Sequence, residues 1–264
     1  MAKLSISKAW DETRDVLSRE GKLLTTVALA LIVLPGVIQE LFAPAVQPGK
    51  IPPLGAWVIV VFACILIGLI GQLAIIRLAT GPATTVGEAI THGARRLPYY
   101  LGVVVLVFVP PLLAMYALAQ QFRGPTPSGG AAIAFLLLTV LFIYILVRFV
   151  ISSAVSSAEN IGPIGIIQRT WSMTRGSWWR LFAFVLLFLI AVLLLMVATG
   201  AIVGIVVGIL LGTPEPMSVG ALIAALITQL VMAAITVVFV VMIARIYLQL
   251  ARQNVEATVP STGD

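Results

Sequence analysis

The chain has 264 residues, of which 61% are hydrophobic and 10% charged, and a formal net charge of +6. A soluble domain carries roughly 25% charged residues, so this chain cannot cover a water-facing surface and lipid must solvate much of it. One cysteine, Cys64, and one histidine, His92, exclude an internal disulfide and a metal site built on those ligands, and no cofactor is expected.

The first 22 residues read as an amphipathic helix. Ile6, Ala9, Trp10, Thr13, Val16 and Leu17 recur at helical spacing, opposite Lys8, Asp11, Glu12, Asp15 and Arg19. Lys8–Glu12 and Asp15–Arg19 are spaced as i,i+4 pairs. A first apolar run follows at 23–42. It reads as an uncleaved span, because the segment before it carries four acids, Asp11, Glu12, Asp15 and Glu20. Further spans are expected at 54–79, 99–119, 131–151, 179–211 and 219–250, each meeting the requirement of about 20 apolar residues. Pro35 and Pro110-Pro111 predict kinks in the first and third spans.

A second amphipathic helix is expected over 85–97, opened by a capping box from Thr85 to Glu88. Ser152, Ser153, Ser156 and Ser157 follow the fourth span. They read as polar helix–helix contacts, since a nucleophile needs a base and an orienting group within reach. A third amphipathic helix starts near Pro163 and runs through Ile164, Ile167 and Trp171 to Arg175. In the fifth span Gly200, Gly204, Gly208 and Gly212 recur every four residues. Such a ridge admits close helix approach, either within the last hairpin or between chains. Residues 253–264 read as a disordered tail after a single membrane domain over 1–252.

Orientation follows the Lys/Arg asymmetry. Fourteen basic residues lie in the N-terminal segment, the two long loops and the end of the last helix, against Lys50 and Arg123 in the opposite loops. Both termini are therefore expected to be cytoplasmic. The plan repeats three times, over about 1–80, 81–158 and 159–252, as an interfacial amphipathic helix feeding a transmembrane hairpin. Units one and three align at a constant offset of 161 residues: Ile6 with Ile167, Lys8 with Arg169, Trp10 with Trp171, Thr13 with Thr174, Arg14 with Arg175, Arg19 with Arg180. The fold expected is an all-α integral membrane protein with six transmembrane helices.

Candidate polar contacts, to lipid headgroups or between units, are Arg77, Arg95, Arg96, Arg148, Glu159, Arg169, Arg175 and Arg180. The arginines closing the returning spans either snorkel to the boundary or pair within the membrane. Glu159 is expected to meet an arginine of another unit or of the 164–176 helix. No paired aspartates, phosphate-cradling loop or zinc motif is present, and no catalytic residue is assigned.

The run from Ser157-Ala158-Glu159-Asn160-Ile161-Gly162-Pro163 through Gln168-Arg169-Thr170-Trp171-Ser172-Met173-Thr174-Arg175-Gly176 to Trp178-Trp179-Arg180-Leu181-Phe182, with Ser7-Lys8-Ala9-Trp10 and Leu34-Pro35, resembles a pattern in bacterial multi-pass proteins. These are similar to the membrane domain of glycerophosphoryl diester phosphodiesterases and to related uncharacterised inner-membrane proteins. Where a phosphodiesterase is fused to that domain, the chemistry belongs to a separate soluble part. The resemblance therefore implies a membrane module of a bacterial inner (plasma) membrane, not hydrolysis. The expected role is a non-enzymatic scaffold or accessory module whose basic face contacts anionic lipid, a protein partner or a second copy, and not nucleic acid. The alternative is passive carriage of a lipid or hydrophobic solute.

Overall fold

A computed structural model describes residues 4–42, 55–81, 85–122, 129–211 and 218–258, and every element in them is helical. Lys50, Arg123 and Gly212 lie outside the described residues. Helix α1 (Ile6–Ala28) is capped by Ser5, whose hydroxyl accepts from the Lys8 amide, so the first turn has a partner for one of its free donors. It does not end near residue 22. A π-helical stretch, Leu29–Val33, carries it into α2 (Leu34–Phe42). The wide turn falls just ahead of Pro35, which has no backbone N–H to donate, and it keeps the helix continuous there.

After α3 (Ala56–Thr80), α4 (Val86–Gln121) opens on the expected capping box. The Thr85 amide donates to Glu88 Oε2 at 2.9 Å, and the Glu88 amide to Thr85 Oγ1 at 3.3 Å. The helix then runs through Pro98, Pro110 and Pro111 without ending. α5 (Gly129–Arg148) is followed by the short α6 (Ser152–Ala158), α7 (Pro163–Thr174), α8 (Trp178–Leu211) and α9 (Val219–Thr258). Among the described residues, six helices or helix pairs are long and apolar enough to cross a membrane.

Two expectations need correction. Among the described residues a separate amphipathic helix precedes a span only at α7, where Gly176 at φ 85° supplies the left-handed residue that ends it. In Ile6–Phe42 and Val86–Gln121 the amphipathic segment and the apolar run are one rod. The first is 37 residues, about 55 Å at 1.5 Å per residue, against a hydrocarbon core of about 30 Å. The tail also begins later than expected, because α9 is helical to Thr258; residues 259–264 lie outside the described region.

The packed core lies at one end of the bundle. Leu73, Ala74, Ile75 and Ile76 of α3, Ala154 and Val155 of α6, and Val240, Val241 and Ile243 of α9 are buried there. Ala9 and Val16 of α1, Ile166 of α7 and Leu181 of α8 close around them. Gly93 lets α4 lie against α3: a Cβ at this position would sit 2.7 Å from the Ile70 carbonyl oxygen. The spans themselves stay open, with at most 33% of the most apolar window of any of them buried. A surface of exposed Leu, Ile and Val along α4, α5 and α8 suits acyl chains rather than water.

Candidate functional site

The end of the bundle that holds the core also holds the basic residues, and the short α6 organises them. Its seven residues follow the turn after α5, and Ser152, Ser153, Ser156 and Ser157 are all buried. Ser157 Oγ donates to the Leu73 carbonyl of α3 at 3.2 Å, consistent with the contact role expected of these serines. A helix leaves its last carbonyls without intrahelical partners. Here α4 supplies partners from His92 and Arg96, one turn apart on one face. Arg96 Nε donates to the Ser156 carbonyl at 2.8 Å, and His92 Nε2 lies 2.8 Å from the Ser157 carbonyl. A carbonyl only accepts, so this nitrogen of His92 carries the proton. Arg96 NH1 also reaches Asn160 Oδ1 at 3.0 Å, and its guanidinium lies 5.3 Å from the centre of the Tyr99 ring.

The same device recurs. Arg148, at the end of α5, is buried and donates through NH1 to the Thr174 carbonyl, the last residue of α7, at 3.2 Å. Its guanidinium lies 4.2 Å from the Trp171 ring centre and 5.9 Å from that of Tyr144, close enough for the ring faces to stabilise the cation. Arg245 of α9 donates to the Ala79 carbonyl at the end of α3, at 2.7 Å. Arg180 at the start of α8 donates to the Leu4 carbonyl at 3.0 Å. Three of these four arginines thus sit at the negative ends of neighbouring helices, where a cation is favoured. Buried Arg96 and Arg148 are therefore not snorkelling to the surface.

Glu159 meets Arg169 of the third amphipathic helix, Nε to Oε1 at 3.0 Å, and the Tyr247 hydroxyl of α9 donates to the same oxygen at 3.1 Å. This joins α6, α7 and α9 through one carboxylate. Among the described residues it is the one ion pair closer than 4.0 Å, so the expected Lys8–Glu12 and Asp15–Arg19 pairs are not closed. Arg77 folds back over Gly81. Of the candidate arginines only Arg95 and Arg175 are exposed, with Lys8, Arg14 and Lys22 exposed on α1. Trp10, Tyr99, Trp171 and Trp179 are exposed at the same end.

Sequence reading missed His92 and Tyr247 as members of this network. The i,i+4 spacing of His92 and Arg96 was visible, but not the carbonyls they serve. The glycine ridge also departs from one of its two expected roles. A Cβ on Gly200, Gly204 or Gly208 would meet nothing within 4 Å, whereas Val203 and Val207 are buried. The described part of the ridge does not pack within the last hairpin.

A polar cavity of about 250 Å³ opens beside this network, between α1, the end of α3 and α9. Among the described residues, no group of three or more His, Cys, Asp or Glu is placed to hold a metal. Comparison with known protein families, with curated proteins and with solved structures gives no match, so the reading of this site rests on its own residues.

Proposed function

We propose that this chain is a non-enzymatic, multi-pass protein of a bacterial inner membrane, acting as a scaffold or accessory module whose basic end faces the cytoplasm. The observation that carries the reading is the division among the basic residues. Arg96, Arg148, Arg169, Arg180 and Arg245 are engaged in holding helices together. Lys8, Arg14, Lys22, Arg95 and Arg175 are exposed at the same end, where cations attract anionic headgroups at roughly 1 kcal/mol each. The exposed tryptophans beside them suit a headgroup boundary. The 161-residue offset between units one and three supports a plan of repeated units, and the fourteen-to-two basic asymmetry supports cytoplasmic termini. A bacterial inner membrane is supported by the resemblance of the Ser157–Phe182 run. Ser157 and His92 are engaged with the backbone carbonyls of Leu73 and Ser157, and the other serines of α6 are buried, which favours a structural role over catalysis.

Native mass spectrometry of the full chain with phosphatidylglycerol tests this reading. Neutralising Arg95 and Arg175 together should lower retention of the anionic lipid without lowering thermal stability. Unchanged retention would sink the headgroup role.

A further inference from the structure

The polar cavity is lined by charges of both signs. Glu12, Asp15 and Glu20 of α1 stand around it with Arg19 of α1 and Arg245 of α9, and the α3 terminus at Ala79 forms its wall. None of these carboxylates lies within 4.0 Å of a guanidinium or ammonium nitrogen among the described residues. Arg245 is held by one bond, from NH2 to the Ala79 carbonyl, and its half-buried side chain lines the cavity. The cation is fixed in place while lacking a full set of partners, and a group in that state favours a neighbouring anion. The carboxylates opposite it accept hydrogen bonds only. A ligand that fits both sets carries a phosphate at one end and a hydrogen-bonding cation at the other. Val16 and Leu78 also line the cavity, giving it an apolar edge where α1 and α3 enter the spans.

We propose that this cavity binds a zwitterion with a phosphate and a primary ammonium, as in a phosphatidylethanolamine headgroup. The phosphate lies toward Arg245 and Arg19, and the ammonium toward Glu12, Asp15 and Glu20. A primary ammonium offers three N–H donors to the carboxylates. The trimethylammonium of phosphatidylcholine offers none, so the site discriminates by the amine. The placement of the cavity at a bilayer boundary rests on the membrane reading above; the choice of headgroup does not depend on the exposed arginines.

The test is native mass spectrometry of the full chain with dioleoyl-phosphatidylethanolamine, dioleoyl-phosphatidylcholine and dioleoyl-phosphatidylglycerol. The expected result is a preference for the ethanolamine over the choline lipid of about tenfold. Glu12→Gln and Asp15→Asn, both isosteric and away from the packed core, should each reduce it while leaving phosphatidylglycerol retention intact. Equal retention of ethanolamine and choline lipids, or a preference unmoved by both substitutions, overturns the proposal. Soluble phosphoethanolamine added to delipidated protein separates the two sources of this chemistry. A rise in thermal midpoint that is lost in Glu12→Gln supports the cavity with a soluble ligand, and lipid selectivity without such a rise supports the membrane lipid. Unchanged phosphatidylglycerol retention in the Arg95/Arg175 variant with the ethanolamine preference intact sinks the headgroup role of the scaffold reading alone.

Discussion

Arg96 gives the sharpest test of whether the basic residues at this end hold the fold or serve the surface. Arg96→Met keeps the apolar stem and removes the guanidinium. It leaves the Ser156 carbonyl without the donor now 2.8 Å away, in a helix whose residues there are buried. A buried acceptor left unsatisfied costs about 1–3 kcal/mol. The ring contact with Tyr99 adds about 0.5–1 kcal/mol, and the lost cation at the α6 terminus about 0.3–1 kcal/mol. Against these stands the desolvation of a guanidinium that is 7% exposed, which the methionine no longer has to bear. The balance predicts a loss of about 2–3 kcal/mol. Arg96→Lys should lose about half of that, because one ammonium cannot reproduce the forked contact with Ser156 and Asn160. The assay is reversible unfolding of the full chain in mixed micelles, with hydrogen exchange followed at the α6 amides. Combining Arg96→Met with His92→Phe should give a non-additive loss, since the two side chains serve adjacent carbonyls, Ser156 and Ser157, at the same helix end. If Arg96→Met is as stable as the parent, or more stable, with α6 protection unchanged, the capping argument is wrong.

Tyr247→Phe removes the hydroxyl that donates to Glu159 at 3.1 Å and should cost about 1–2 kcal/mol in the same assay; in a Glu159→Gln background the effect should shrink. Gly93→Ala places a methyl 2.7 Å from the Ile70 carbonyl oxygen and should cost about 1–3 kcal/mol by separating α4 from α3. Gly204→Ala meets open space, so the monomer's thermal midpoint should hold or rise. Single cysteines replacing Arg95 and Arg175 in a Cys64→Ala background should both label with a membrane-impermeant maleimide from the cytoplasmic side of oriented vesicles. Labelling from opposite sides would contradict the six-crossing topology.

Much of the molecule can be read without its coordinates because the bilayer constrains it so strongly. Six apolar runs are visible by composition, and the capping box at Thr85 and Glu88 was legible because its partners are three residues apart. The contact of Glu159 with the 164–176 helix was expected and is realised through Arg169. Helix continuity was not legible. Pro98 looks like a boundary, yet α4 passes through it, whereas the break that does occur depends on one positive φ at Gly176. The glycine ridge shows the same limit: spacing announces a smooth face, but not what lies against it.

Sequence alone located the six apolar runs and the segments where the basic residues collect, since each follows from local hydropathy and charge. Tertiary structure decided what those basic residues do. Whether an arginine is free for a headgroup or spent on a carbonyl depends on where another helix ends, and those ends are far away in sequence: Arg96 serves Ser156, Arg148 serves Thr174 and Arg245 serves Ala79. Hydrogen-bond partners between separate helices are fixed only once the helices pack, so the division between structural and exposed charge is a property of the assembled bundle.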